Sequence, residues 1–504
     1  MVKQAGVLMH ISSLPSKYGI GTLGKEAYDF VDFLDKSSIG IWQILPLNVT
    51  SYGDSPYQSP SNFGLNYYFI DLPTLVKKGL LKTGEIKYID WEDTESRVNY
   101  EKIFNNRIKV LKIAFTRFNR NNLKFIKFIN DNPQLRDFAL FMTLKEINSL
   151  RPWNKWEEKY LKYSKELEEE VIKGNEDTYL FYLWTQFEFL NEYKALKRYA
   201  NSKGVSIMGD LPIYVAYDSV EVWKYPELFE LDDEHNPKRV AGCPPDCFSA
   251  DGQLWGNPLY RWDYHKSTSY AWWNKRIDYA LGLYDLLRID HFRGFSGYFA
   301  IPYGDKTARN GKWVKGPGFD LFKDKLNYPI IAEDLGMVDP PFIRLMKKTK
   351  YPGMKIVTQG FDGYDKKNIW RPSNYTYNFF SYTATHDSPT TRQYLDDLDE
   401  NQKKIFLDVA EEEAKKLHVQ FSREFDNREL TDLIVQLNMA SKARVAMMPM
   451  QDLLAIGKEG RMNYPSTLST LNWSFRITKE QFDNSKEQLG YLLSRYVKIY
   501  GRNK

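Results

Sequence analysis

Eight short apolar runs, most of them separated by helical patterns, restrict what this chain can fold into more than any other feature. They are Gly6–Met9, Ile39–Leu45, Val205–Met208, Asp285–Ile289, Pro329–Ala332, Lys355–Val357, Ser381–Thr385 and Val445–Met448. Runs that are apolar throughout, without alternation, suit strands buried on both faces of a parallel sheet. Strands alternating with helices give an α/β fold, and eight of them are what a (β/α)8 TIM barrel requires. Most runs stop at an acid or amide: Asp210, Asp290, Glu333-Asp334, Asp387 and Gln451-Asp452. In a barrel the C-terminal strand ends share one mouth, so these side chains are expected to converge there.

Between the second and third runs the character changes. From about 75 to 202 the chain carries long Lys- and Glu-rich amphipathic patterns, which predict an inserted, largely helical subdomain. A second excursion is expected over 211–270, and the whole of 1–504 is read as one decorated barrel domain. Local signals set some boundaries. Ala27, Phe30, Val31 and Leu34 recur at helical spacing and predict a helix over 25–36. Asp339 before Pro340-Pro341 predicts an N-cap with proline in the first turn, and Ser388-Pro389 is expected to do the same after Asp387. The turn-rich loop Gly53 to Pro60, with Tyr67 to Ile70 after it, reads as a wall beside a site.

Composition removes several function classes. Lys and Arg number 70 against 65 Asp and Glu, a balance of +5 that is too small and too evenly spread for a nucleic-acid partner. Gly19-Ile20-Gly21-Thr22-Leu23-Gly24 matches the dinucleotide fingerprint by spacing, but a Pro- and Ser-containing loop separates it from its strand and no acid ends the next strand, so it is read as a chance match. Cys243 and Cys247 are expected to be reduced, since no second thiol or histidine cluster completes a metal site, and no cofactor is expected. The N-terminus shows no secretory signal and no run is long enough for a membrane helix, which together suggest a cytoplasmic protein. Aromatic residues make up 15% of the chain, and their polar-edged rings suit stacking on sugars, although most must be core.

The chemistry centres on Leu286 to Phe295, where an apolar run breaks into Arg288, Asp290, His291 and Arg293. Side chains two apart on a strand share a face, so Arg288 and Asp290 are expected to point the same way, the guanidinium favouring an ionised carboxylate. Taken alone, this segment reads equally well as a structural ion pair. Glu333 follows the apolar Ile330-Ile331-Ala332, surroundings that favour a protonated carboxyl. Retaining sugar chemistry needs such a pair, one ionised and one protonated, about 5 to 5.5 Å apart. Asp387 is a third carboxylate at a strand end, while Asp334 is expected to face elsewhere.

Three segments, Arg288 to Phe295, Ala332 to Gly336 and Thr385 to Asp387, resemble the catalytic motifs of the amylomaltases, the 4-α-glucanotransferases also called disproportionating enzymes. The resemblance extends to Gly53–Ser59, Gly209–Val215, Gly252–Trp262 and Glu459–Pro465, covers nearly the whole chain and is weakest in the helical insertion. It implies a barrel without the C-terminal β-sandwich of the amylases. It also implies transfer of α-1,4-glucan segments to glucose or maltooligosaccharide acceptors by double displacement. By motif match, Asp290 would be the nucleophile, Glu333 the acid/base and Asp387 the stabiliser of the transition state. Tyr57, Asp210, Arg288, His291 and His386 would hold the reacting glucose; Ser55, Gln253, Trp255 and Asn463 would hold its neighbours. Phe248 would belong to a lid carried by the 211–270 excursion, with Cys247 standing where the family usually has an aromatic. The rival readings are an α-amylase-type hydrolase using the same carboxylates and an inactive glucan-binding barrel. No role is assigned to His10, His235, His265 or His418, and Asp452 with Arg461 is expected to form an ion pair bracing the last loop.

Overall fold

The structure, a computed structural model, describes residues 2–245 and 249–504. Its centre is an eight-stranded parallel barrel: β1 (Gln4–Leu8), β2 (Ile41–Gln43), β3 (Ser206–Leu211), β4 (Leu286–Ile289), β5 (Ile330–Ala332), β6 (Gly353–Ile356), β7 (Phe379–Tyr382) and β8 (Val445–Pro449). Neighbours in sequence are neighbours in the sheet, and β8 returns to β1 with Gln4 opposite Val445. Between β5 and β6 the ring is joined by the Ala332 N–H donating to the Pro352 carbonyl at 2.9 Å. Ile41, Met208, Ile331, Met354, Phe380, Tyr382, Val445 and Met447 form one buried cluster contributed by these strands. Gly6 lies so close to Met447 that a Cβ there would come within 2.3 Å of its sulfur and 3.0 Å of Ile41 Cβ, so any side chain would have to displace its neighbours.

All eight expected strands are present, with shifted ends. Strand β6 starts at Gly353 and stops at Ile356; β7 covers Phe379–Tyr382, so 383–385 lie beyond the sheet. The helix over 25–36 spans Lys25–Lys36, and Asp339 caps Pro340–Thr349 by accepting the Phe342 N–H at 2.9 Å. Ser388 is not a cap. Thr390 caps Thr391–Asp396, while the Ser388 hydroxyl accepts the Thr385 N–H at 2.8 Å and closes a turn. Tyr67–Phe69 is a buried 3-10 turn capped by Asn66 rather than a wall of the cleft. Gly24 begins its helix with the Asp71 carboxylate 2.2 Å from where a Cβ would stand, and that carboxylate accepts the Thr22 hydroxyl and the Thr74 N–H.

Between β2 and β3 the chain is mainly helical, ending in the 27-residue helix Glu176–Ser202 that packs on Lys25–Lys36 and leads into β3. On either side of β4, the strands Arg239–Cys243, Gln253–Pro258, Gly297–Pro302 and Lys312–Lys315 form a four-stranded antiparallel sheet. The helix Lys479–Ile499 follows β8 and packs on Lys25–Lys36; no β-sandwich occurs among the described residues. No described helix is long and apolar enough to cross a membrane.

Candidate active site

Register brings the first charged group together. Asp210 of β3 pairs with Arg288 of β4, and Asp290 lies two residues on, just past the strand end. Arg288 donates to Asp210 at 2.6 Å and to Asp290 at 2.9 Å, so one guanidinium spans two carboxylates. Asp210 is fully enclosed, which pushes its carboxyl up against the pull of Arg288, and it also accepts the Tyr57 hydroxyl at 2.9 Å. Burial would weaken the Arg288 charge, but the two carboxylates hold it well above its ordinary value. Asp290, with 27% of its side chain exposed, opens toward the cleft.

Glu333 stands one residue past β5, beside Asp290. Its carboxyl accepts the His291 N–H at 2.8 Å and the Leu335 N–H at 2.7 Å. The first of these depends on His291 adopting a left-handed backbone, φ 45°, unusual for a residue with a Cβ. Burial raises the Glu333 pKa to about 8, Asp290 adding to the rise while Arg288 opposes it. Asp334 points away and accepts the Met354 N–H at 2.7 Å, bracing β6. Burial also pushes the His291 ring down to about 4, so it is neutral at pH 7.

Asp387 lies in the loop after β7. Its side chain is 47% exposed to the cleft; the desolvation imposed by the surrounding walls opposes its charge, but His386 at 3.3 Å, Asn463 donating at 2.7 Å and Arg288 outweigh that and hold the carboxyl well below the usual range. His386 stacks on Tyr57, centroids 5.2 Å apart, and Trp473 lies against both rings. Its pKa is raised because Asp387 overcomes the cost of burial. Arg461 is not paired with Asp452; it donates to the Asn463 carbonyl at 2.9 Å and covers the Tyr464 ring.

These groups border an open cleft of about 260 Å³. Ser55, Tyr57, Gln253, Trp255, Asp290, His386, Asp387 and Asn463 line it; Asp210, Arg288, His291 and Glu333 sit behind or beside that surface. Trp255 meets the His291 ring edge-on at 5.0 Å and donates to Gln253 at 3.0 Å. Phe248 and Cys247 lie outside the described residues. The lining also includes Gln58, Tyr214, Asn257 and Trp473, which the sequence did not single out. Gln58 and Asn257 exchange hydrogen bonds at 3.3 Å across the cleft wall, so their amides fix one another. Trp473, at φ 62°, belongs to no periodic pattern, and only its place after the Glu459–Pro465 motif could have drawn notice. His10 is a core residue whose Nδ1 accepts the Leu45 N–H, and His265 contacts the Leu228 carbonyl.

A carboxyl bonded to an arginine, a second carboxyl raised by burial, and a polar cleft walled by aromatic rings define a class: a (β/α)8 enzyme equipped to handle glycosidic bonds. Comparison with known proteins narrows it. The sequence pattern of the 4-alpha-glucanotransferase family, glycoside hydrolase family 77, matches residues 9–481. A 4-alpha-glucanotransferase of Clostridium butyricum is 44% identical over 98% of this chain and all of its own, and one of Aquifex aeolicus is 41% identical over 99% of this chain and all of its own. The amylomaltase of Streptococcus agalactiae, solved in complex with acarbose, superimposes with a TM-score of 0.93 at 38% identity, covering both chains completely. The chain belongs to the 4-alpha-glucanotransferase family, and its activity is glucan transfer.

Proposed function

We propose that this glucanotransferase moves α-1,4-linked segments between maltooligosaccharides by retaining double displacement, with Asp290 as nucleophile and Glu333 as acid and base. An Asp290 oxygen attacks C1 of the donor sugar as the C1–O4 bond breaks, and Glu333 gives its proton to the departing oxygen. Glu333, now ionised, takes the proton of an acceptor's 4-hydroxyl; that oxygen attacks C1 and frees Asp290. Two inversions leave the anomeric configuration unchanged. Asp387 and His386 grip hydroxyls of the reacting glucose, Arg288 orients Asp290, and Tyr57 with Asp210 closes the floor. Ser55, Gln253, Trp255 and Asn463 hold adjoining sugars.

The observation that carries this reading is the contrast between neighbouring carboxyls: Asp290 bonded to a guanidinium, Glu333 buried and raised to about 8. The proposed setting is the cytoplasm, with 75–202 as a helical subdomain appended to one barrel domain. Purified protein given maltotriose is expected to release glucose and build a ladder of longer maltooligosaccharides. A product set of hydrolysis alone would refute transfer.

A further inference from the structure

Asp452 looks in sequence like another strand-end acid, yet it does not reach the cleft. It is 2% exposed and sits in the short helix Met450–Leu453 that follows β8. One oxygen accepts the Thr383 hydroxyl at 2.5 Å and the Thr391 hydroxyl at 2.7 Å; the other accepts the Thr391 N–H at 2.7 Å. Thr383 is the first residue after β7 and Thr391 the first of the helix Thr391–Asp396. The seven residues between them, 384–390, include His386 and Asp387.

We propose that Asp452 is a positioning residue for Asp387: one buried carboxylate ties both ends of the loop that presents Asp387 and His386 to the glucan. The loop needs such a tie. Beneath it lies a cavity of about 20 Å³ bordered by His10, Ser13, His386, Ser388, Gln451 and Asp452, so that packing under the loop is incomplete at its tip although Ala384, His386 and Thr390 are buried. Its internal bonds are local, joining Thr385 to Ser388 and to the Asp387 N–H, while Asn463 and Arg461 reach Asp387 and Tyr57 stacks on His386 at the loop's tip; none of these groups meets both of its ends, as Asp452 does. Thr390 donating to the Gly457 carbonyl at 3.1 Å is a tie to the β8 side at one end only. Burial pushes the Asp452 carboxyl up and the three donors oppose it, so the charge and the clamp support one another.

This inference rests on the reading of Asp387 as a substrate-gripping group. Asp452→Ala is expected to lower kcat on maltotriose about 100-fold, the cost of displacing a catalytic group by about 1 Å, with KM changed less than about threefold. Asp452→Asn, which keeps an oxygen for the Thr391 N–H, is expected to recover roughly a tenth to a half of wild-type kcat, and carries the test if the alanine variant does not fold. Binding of acarbose, measured by calorimetry, is expected to weaken at least about tenfold in Asp452→Ala but to show no further loss when the change is added to Asp387→Asn, because a residue acting through another is silent once the other is gone. Equal losses in both backgrounds, or a rise in KM at unchanged kcat, would overturn the positioning role and leave the reading of Asp387 standing. An Asp387→Asn enzyme with wild-type kcat would remove that reading and the inference with it.

Discussion

The raised pKa of Glu333 makes the acid half of the reaction testable by pH alone. At pH 7 a carboxyl titrating at about 8 is about 90% protonated, whereas one at 4.5 would be about 0.3% protonated. The site therefore multiplies the fraction of enzyme able to protonate a leaving oxygen by roughly 300. The kcat/KM for maltotriose is expected to fall above an apparent pKa near 8 that belongs to the Asp290–Glu333 pair. With a maltosyl fluoride donor, whose leaving group needs little protonation, the same alkaline limb is expected to vanish from the glycosylation step. Stability must follow the opposite bookkeeping. Between pH 4.5 and about 8 the folded protein keeps a proton on Glu333 that the unfolded chain has released, so this carboxyl costs about 1.4 kcal/mol more for each pH unit across that window and nothing more above it. Glu333→Gln is expected to remove that slope, so the variant's Tm relative to wild type rises from pH 5 to pH 8. An alkaline limb near 5, one that persists with the fluoride donor, or a Tm difference independent of pH would refute the reasoning.

The division of labour can be read from trapped intermediates: Glu333→Gln given a glycosyl fluoride is expected to accumulate a covalent glycosyl-enzyme on Asp290, and Asp290→Asn to form none, with mass spectrometry locating the sugar. Arg288→Met leaves Asp210 and Asp290 without their shared counter-charge and is expected to cost about 3–5 kcal/mol of stability at neutral pH, a cost that shrinks as the pH is lowered because burial already pushes the Asp210 carboxyl up, measured by denaturant unfolding. Tyr57→Phe removes the hydroxyl bonded to Asp210 while keeping the ring stacked on His386, and is expected to lower kcat/KM about 10- to 100-fold, equivalent to roughly 1.5–3 kcal/mol.

The barrel was legible because parallel strands buried on both faces leave uninterrupted apolar runs, and consecutive strands are neighbours in the ring even where a long insertion separates them, as between β2 and β3. Strand ends were less legible. Strand β7 begins at Phe379, two residues ahead of the apolar run, and ends before Thr383, which suits a strand by propensity but whose hydroxyl is committed to Asp452. The surroundings of Glu333 followed from its apolar neighbours, but the backbone donors that hold it did not, since they depend on a left-handed histidine that no spacing announces. Trp473 escaped for the same reason: it reaches the cleft from an irregular loop, where side-chain direction is set by φ rather than by periodicity.

The acids at the strand ends show most clearly what sequence order leaves open. Asp210, Asp290, Glu333, Asp387 and Asp452 all follow apolar runs, and the rule that barrel strands end at one mouth applies to each. What separates them is the partner that burial forces on each one. Asp210 is enclosed with Arg288 and Tyr57, Asp290 shares that arginine but stays open to the cleft, Glu333 meets only backbone N–H groups, and Asp452 meets hydroxyls from the neighbouring strand's loop. A cation beside a carboxylate favours the ionised form, two amides in a buried setting leave it protonated near neutrality, and three donors on flanking residues turn it into a clamp. Similar residues are thus given different tasks by the groups that lie against their oxygens, which is information carried by the packing of distant segments rather than by the motif around each acid.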